Sequence, residues 1–140
     1  MVVLNHYRRL ILMPEYLLDT NAVSAQMKGD QVLITLLDTA TKVAIPSIVI
    51  GELLYGAAIA QRGQVYLNQI ESLIATKSIL SCDVETARFY SQIASQLHRT
   101  GKLISPNDIW IAALAFQYRF VLLTRDTDFQ RVDGLNVQGW

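Results

Sequence analysis

Four acidic residues of this sequence lie in or beside apolar runs, where a lone negative charge is unfavourable. They are Asp19, Glu52, Asp108 and Asp126. Burying an unpaired carboxylate costs so much that the group either keeps its proton or finds a cation. Because no His or Cys accompanies these oxygens, a hard divalent ion such as Mg²⁺ or Mn²⁺ is the expected cation. Such a site activates water and stabilises the departing oxygen in phosphodiester cleavage.

Each acid also has an ordinary structural explanation when it is taken alone. Asp19 and Asp108 each begin a segment of helical character and could cap it. Asp126 and its neighbour Asp128 could form turns or pair with a nearby arginine. Glu52 is harder to explain in this way, because a core helix seldom holds an unpaired glutamate. The metal hypothesis therefore depends on whether the fold brings the acids together.

Five short apolar runs have strand character, and most segments between them have helical character. The predicted strands are 16–18, 43–45, 79–82, 120–124 and 135–137. This alternation predicts an α/β fold of three layers, with a central parallel sheet of about five strands covered by helices on both faces. Open parallel sheets bind ligands outside the carboxyl ends of their strands. Asp19 and Asp126 follow predicted strands, so we expect the acids at that edge.

Four helices begin after residues whose side chains accept hydrogen bonds from free backbone amides. The predicted capping residues are Asp30, Ser47, Asp83 and Ser105. Gly101 marks the expected end of the third of these helices, and the helix after Ser47 should end near residues 61–63. Asp108 then lies in the first turn of its helix, where the dipole favours an anion. Glu52 lies on the second turn of its helix, with no cation among its same-face neighbours.

Composition predicts one folded domain and excludes several classes of protein. With 140 residues, 51% hydrophobic and 17% charged, the chain is expected to fold around one core. Its 12 basic and 12 acidic side chains give no global basic field, so a nucleic-acid substrate must be held locally. The single cysteine, Cys82, excludes an internal disulfide and predicts a cytoplasmic protein. No apolar stretch approaches the roughly 20 residues that cross a bilayer.

The first twelve residues differ from the rest of the sequence. Arg8 and Arg9 lie in the middle of this segment, whereas a secretory signal carries its positive charge ahead of a longer apolar stretch. Met13 offers a second plausible start. We therefore expect residues 1–12 to be a flexible extension or the product of a wrongly chosen start codon, and residues 13–140 to form the domain.

Several short motifs occur in an order and spacing that resemble the PIN-domain ribonucleases of the VapC toxin family. The motifs are LLDTN at 17–21, SIVIGEL at 47–53, NDIWIAA at 107–113, LTRDTDF at 123–129, and Gly134-Leu135 with the final Trp140. The resemblance runs from Met13 to Trp140. Each motif alone is weak, but their order and spacing together are specific.

The resemblance implies a PIN-like fold and a Mg²⁺- or Mn²⁺-dependent endoribonuclease. The acids that it assigns to catalysis and metal binding are Asp19, Glu52, Asp108 and Asp126. Asp128 becomes a further acid near the metals, and Asn21 and Thr124 become polar residues that support the acids. The resemblance also implies an RNA substrate, a homodimer, and a VapB-type antitoxin whose C-terminal segment fills the active-site groove.

From these assignments we expect Asp19, Glu52 and Asp108 to hold one ion. Asp126 and Asp128 would position a second ion or the attacking water. The alternative is a PIN-like module that has lost catalysis and only binds RNA or protein. A metal titration followed by a cleavage assay separates the two.

A phosphoacceptor receiver domain also collects carboxylates around Mg²⁺ at strand ends. It needs an adjacent acidic pair after the first strand and a lysine at the end of the last strand. Residues 17–20 and 135–140 supply neither, so this interpretation is disfavoured.

Overall fold

A computed structural model describes residues 13–140, so the predicted extension at 1–12 lies outside the described residues. The described chain forms one five-stranded sheet in the order β3-β2-β1-β4-β5, and every pairing is parallel. The strands are β1 (Glu15–Leu18), β2 (Lys42–Pro46), β3 (Ser78–Leu80), β4 (Val121–Leu123) and β5 (Val137–Gln138). The predicted α/β class and parallel sheet are confirmed.

Six α-helices and one 3-10 helix connect the strands. They are α1 (Thr20–Met27), α2 (Gln31–Asp38), α3 (Ser47–Ile59), α4 (Gly63–Thr76), α5 (Val84–Thr100), α6 (Pro106–Tyr118) and the 3-10 helix Thr127–Arg131. The chain moves outward from β1 to β3 and then returns to the other side of β1. Because crossovers between parallel strands are right-handed, this reversal places helices on both faces of the sheet. α3 packs on α4, and α5 packs on α6.

The central pair of strands, β1 and β4, forms the middle of the core. Leu17 pairs with Leu122, and Leu18 pairs with Leu123. All four side chains are fully buried, as expected of strands covered on both faces. Since the strand order reverses between β1 and β4, the residues that follow these two strands lie side by side at the switch point where such sheets bind ligands.

Three of the four predicted helix caps are confirmed. Asp30, Asp83 and Ser105 each accept a hydrogen bond from the backbone amide three residues later. The prediction for Ser47 is wrong, because β2 leads straight into α3 and the capping position falls on Pro46, whose side chain makes no such bond. Gly101 ends α5 with φ of 66°, a left-handed conformation that glycine adopts at little cost.

α3 and α4 form a hairpin that the sequence predicted only in part. α3 ends at Ile59, close to the expected end, and Gly63 starts a new helix immediately afterwards. A Cβ atom at Gly63 would lie 1.9 Å from the carbonyl oxygen of Ala57. Glycine is therefore required where the two helices approach each other.

The predicted bounds of three strands are within one residue of the observed ones, whereas those of the other two differ by two residues at one end. β3 ends at Leu80, so Cys82 lies beyond it and is only half-buried. β5 begins at Val137, because Leu135 donates its amide to the carbonyl of Val132 in a turn that also places Gly134 at φ of 77°. Within residues 13–140, no helix combines the length and apolar character needed to span a bilayer.

Candidate metal centre

The four acids converge on one cleft at the carboxyl ends of β1 and β4. The cleft has a volume of about 290 Å³ and is lined by Asp19, Thr20, Asn21, Glu52, Ser105, Asn107, Asp108 and Asp126. The four acids predicted from the sequence therefore come from four separate segments of the chain and line the same cleft. Asn21 lies on the same cleft.

Asp19 combines the capping role with a place in the cleft. Its Oδ1 accepts the backbone amide of Ala22 at 2.8 Å and so caps α1, while its Oδ2 accepts the hydroxyl of Thr124. The residue is only 4% exposed. Burial raises the pKa of Asp19 above its ordinary value, the bond from Thr124 opposes this, and the nearby charges of Asp108 and Asp126 raise it further. Asp19 is thus a buried acid whose ionised form needs a positive partner.

Thr124 links the acids that follow the two central strands. Its hydroxyl donates to Asp19 and accepts the backbone amide of Asp126 at 2.9 Å. Asp126 in turn caps the 3-10 helix, since its Oδ1 accepts the amide of Asp128 at 2.9 Å. One carboxylate oxygen of Asp126 is engaged in this way, and the other accepts no hydrogen bond from residues 13–140.

The tightest group of acidic oxygens consists of Asp108, Asp126 and Asp128, which we call the acidic triad. One carboxylate oxygen from each lies within 4.8 Å of the others. Burial raises the pKa of Asp108, and the charges of Asp126, Glu52 and Asp128 raise it further, against a bond with Ser105 that lowers it. The fold therefore holds three carboxylates close enough to repel one another when they are ionised.

The triad differs from the grouping that the sequence suggested, in which Asp19, Glu52 and Asp108 shared one ion. Those three do not form an equally compact set among residues 13–140. The reason is that Asp19 is tied to the start of α1, while Glu52 is held at the side of the cleft. Its Oε2 accepts the hydroxyl of Thr20 at 3.1 Å and its Oε1 accepts the amide of Asn107 at 3.4 Å.

Glu52 does not lie in the core, as its apolar surroundings in the sequence suggested. It is half-buried, and its neighbour on the next turn of α3, Tyr55, is 68% exposed. The sequence also missed Thr20 and Asn107 as the residues that orient Glu52. The sequence offered one indication of this role, which is that Thr20 directly follows Asp19 and Asn107 directly precedes Asp108.

The residues present fit a hard divalent cation. Within the described chain, no lysine or arginine forms an ion pair with Asp19, Glu52, Asp108 or Asp126. Asp128 has Arg131 at 3.5 Å, but this pair is about half exposed and weak. One carboxylate oxygen from each member of the triad lies within 4.8 Å of the others, so these three residues would hold the ion together.

Replacing Thr124 by Val tests its linking role. The substitution keeps the shape of the side chain but removes the hydroxyl that serves both Asp19 and the amide of Asp126. Leaving buried groups without partners costs about 1–3 kcal/mol, so we expect the free energy of unfolding in urea to fall by that amount. The exposed Thr127 offers a matched control, since Thr127→Val should change stability little. Equal stability of the two variants would contradict the role assigned to Thr124.

The family model described as PIN domain matches residues 16–135. This match covers most of the chain, so the chain belongs to the PIN domain family. Within that family it is similar to Ribonuclease VapC2 of Haemophilus influenzae, with 32% identity over 131 residues that cover 91% of this chain and 99% of the relative. It is also similar to the tRNA(fMet)-specific endonuclease VapC of Shigella flexneri, with 33% identity over 71% of this chain and 76% of the relative.

The fold agrees with a solved structure of the same group. The crystal structure of DNA-bound VapBC from Salmonella typhimurium contains a chain that superposes with a TM-score of 0.82 and 27% identity. The superposition covers 91% of this chain and 99% of that chain. The predicted PIN-like fold and the predicted resemblance to VapC ribonucleases are thus confirmed.

Proposed function

We propose that this protein is a Mg²⁺- or Mn²⁺-dependent endoribonuclease and the toxin of a VapBC-type toxin–antitoxin pair. The observation that carries the proposal is the convergence of Asp19, Glu52, Asp108, Asp126 and Asp128 on one edge of the sheet, where among residues 13–140 the sole ion pair to any of them is the half-exposed one between Asp128 and Arg131. The similarity to VapC ribonucleases supports RNA as the substrate. A cytoplasmic location follows from this role and suits the unpaired Cys82.

The proposed roles follow from the contacts of each side chain. The triad of Asp108, Asp126 and Asp128 holds the ion, and Asp19 faces it from the end of β1. Thr124 keeps one oxygen of Asp19 in a fixed direction. A bound Mg²⁺ or Mn²⁺ supplies water activation and charge stabilisation at the scissile phosphodiester.

Glu52 has a different part in this proposal. Because Thr20 and Asn107 each donate to a different one of its two oxygens, its carboxylate is fixed on the wall of the cleft. Glu52 adds negative charge at the site, but it does not belong to the compact group formed by the three triad carboxylates. This arrangement suits a group that would hold a second ion or the attacking water.

A cleavage assay tests the enzymatic part of the proposal. The purified full chain is incubated with a tRNA mixture and with messenger RNA, each with Mn²⁺, with Mg²⁺ and with a chelator in excess. We begin with tRNA because the Shigella relative is named for it. We expect discrete RNA fragments that appear only with the divalent ion. RNA binding without cleavage under all conditions would instead support the inactive PIN-like module.

A groove beside the cleft supports an antitoxin as the partner. It has a volume of about 690 Å³, shares Thr20 and Glu52 with the cleft, and runs between α1 and the α3–α4 hairpin. Apolar side chains such as Leu53 and Ile70 line it, and Lys28 and Arg62 add positive charge. An antitoxin segment with apolar and acidic side chains fits this surface.

The genomic neighbourhood tests the antitoxin part separately. We expect the adjacent gene to encode a small DNA-binding protein that co-purifies with this chain. A neighbour of unrelated type would remove the toxin role and leave the nuclease role standing.

We also propose a homodimer, which sedimentation of the purified protein tests. Large apolar side chains that are more than half exposed, including Val84 and Leu103, support burial at such interfaces.

A further inference from the structure

The segment that carries Asp126 and Asp128 lies outside the sheet. β4 ends at Leu123 and β5 begins at Val137, and the regular structure between them is the 3-10 helix Thr127–Arg131. Such helices are short and have poor hydrogen-bond geometry. Strand pairing therefore does not determine how far these two acids lie from Asp108, which is carried by α6. Tertiary contacts must do so.

Gln96 on α5 makes two such contacts. Its Nε2 donates to the carbonyl oxygen of Arg131 at 3.2 Å, and its Oε1 accepts the backbone amide of Asp133 at 3.2 Å. Both polar atoms of the side chain are thus used on backbone groups that flank Val132, which is buried at 4% exposure. A single side-chain amide replaces the pairing that a neighbouring strand would give to this stretch of backbone.

Arg131 adds a weaker tether on the same segment. Its Nη1 donates to the carbonyl oxygen of Leu103 at 3.3 Å, just before Ser105 caps α6. Its Nη2 lies 3.5 Å from Asp128. Because Gln96 holds the backbone of Arg131, it also fixes the base of this side chain. Through Arg131, the contacts made by Gln96 thus connect the segment that carries Asp128 to the loop before α6, the helix that carries Asp108.

We propose that Gln96 is a positioning residue for the divalent-ion site. Its amide fixes the segment that carries Asp126 and Asp128 at the distance from Asp108 that one ion spans. The inference rests on the proposed function, because the triad needs this precision only if it binds an ion. Mg²⁺ demands near-octahedral geometry at about 2.0–2.1 Å, so a small displacement of two ligands weakens binding.

Three variants separate positioning from general stability. Gln96→Ala removes the whole amide, and Gln96→Met removes the hydrogen bonds but keeps most of the volume. Gln92→Ala is the matched control, since Gln92 is exposed on the same helix and makes no side-chain hydrogen bond within residues 13–140. None of these residues touches the cleft.

The primary measurement is the dissociation constant for Mn²⁺ by calorimetry on the metal-free protein, together with its melting temperature. We expect the constant to rise about tenfold in both Gln96 variants, the usual effect of losing a partner that orients metal ligands. Gln92→Ala should keep the wild-type constant. The Mn²⁺ concentration that gives half-maximal cleavage should rise by the same factor.

The outcomes distinguish this inference from the proposed function. A Gln96→Met variant with a lower melting temperature but an unchanged Mn²⁺ constant would show a merely structural role and overturn the inference. Wild-type protein that binds Mn²⁺ but cuts no RNA would contradict the proposed function, while the calorimetry would still decide on Gln96. Wild-type protein that binds no Mn²⁺ would overturn both.

Discussion

The Asp19→Asn variant should lose metal-dependent RNA cleavage and keep its fold. Asn retains an oxygen that can accept the amide of Ala22, so the cap of α1 survives. It lacks the negative charge that a divalent ion needs from the end of β1. We expect the cleavage rate at saturating Mn²⁺ to fall by more than about 100-fold, since even the loss of an outer partner of a metal ligand costs up to that much.

Asp30→Asn is the control for this experiment. Asp30 also caps a helix, α2, through the amide of Leu33, but it does not line the cleft. Its pKa is lowered chiefly by that hydrogen bond, the opposite of the shift at Asp19. This variant should cleave RNA at the wild-type rate. Retained cleavage by Asp19→Asn would remove Asp19 from the proposed site.

Mn²⁺ should stabilise the wild-type protein strongly, and the effect should depend on pH. An ion that binds only the folded state adds about 2.7 kcal/mol to the free energy of unfolding at 100 times its dissociation constant. Asp19 and Asp108 have pKa values raised above those of the unfolded chain. In the metal-free protein their ionisation therefore disfavours folding at neutral pH, and this penalty disappears as the pH falls through the raised pKa values.

Metal binding has the reverse dependence, because the ligands must be deprotonated. The difference in melting temperature with and without Mn²⁺ should be largest at neutral pH and should vanish as the pH falls through the raised pKa values of the two acids. Comparing the two states at each pH cancels the titration of groups outside the site. A shift that is independent of pH would show that the ion binds elsewhere.

Strand positions, to within about two residues, and three of the four helix caps were predictable because they depend on local sequence. Leu17 and Leu122 belong to short apolar runs that predict buried strands, and both are buried. Asp83 caps α5 by accepting a hydrogen bond from an amide only three residues away. The convergence of the acids was also predictable, since the carboxyl ends of parallel strands share one edge. These features need only the order of the elements.

The grouping of the acids depends on contacts that sequence spacing does not encode. Glu52 is drawn to the side of the cleft by Asn107, 55 residues away, and Gln96 reaches the backbone of Arg131, 35 residues away. A glutamine on an amphipathic helix looks like ordinary solvated surface. Its partners are backbone atoms, so no pattern of side chains reveals it.

The reversal of strand order also bears on when the site forms during synthesis. Thr124 must reach Asp19 across 105 residues, and β4 completes the centre of the sheet rather than its margin. A nascent chain cannot assemble the cleft until almost all of it has left the ribosome. An incomplete translation product would then carry Asp19 and Glu52 but lack Asp126 and Asp128, and so could not complete the proposed site.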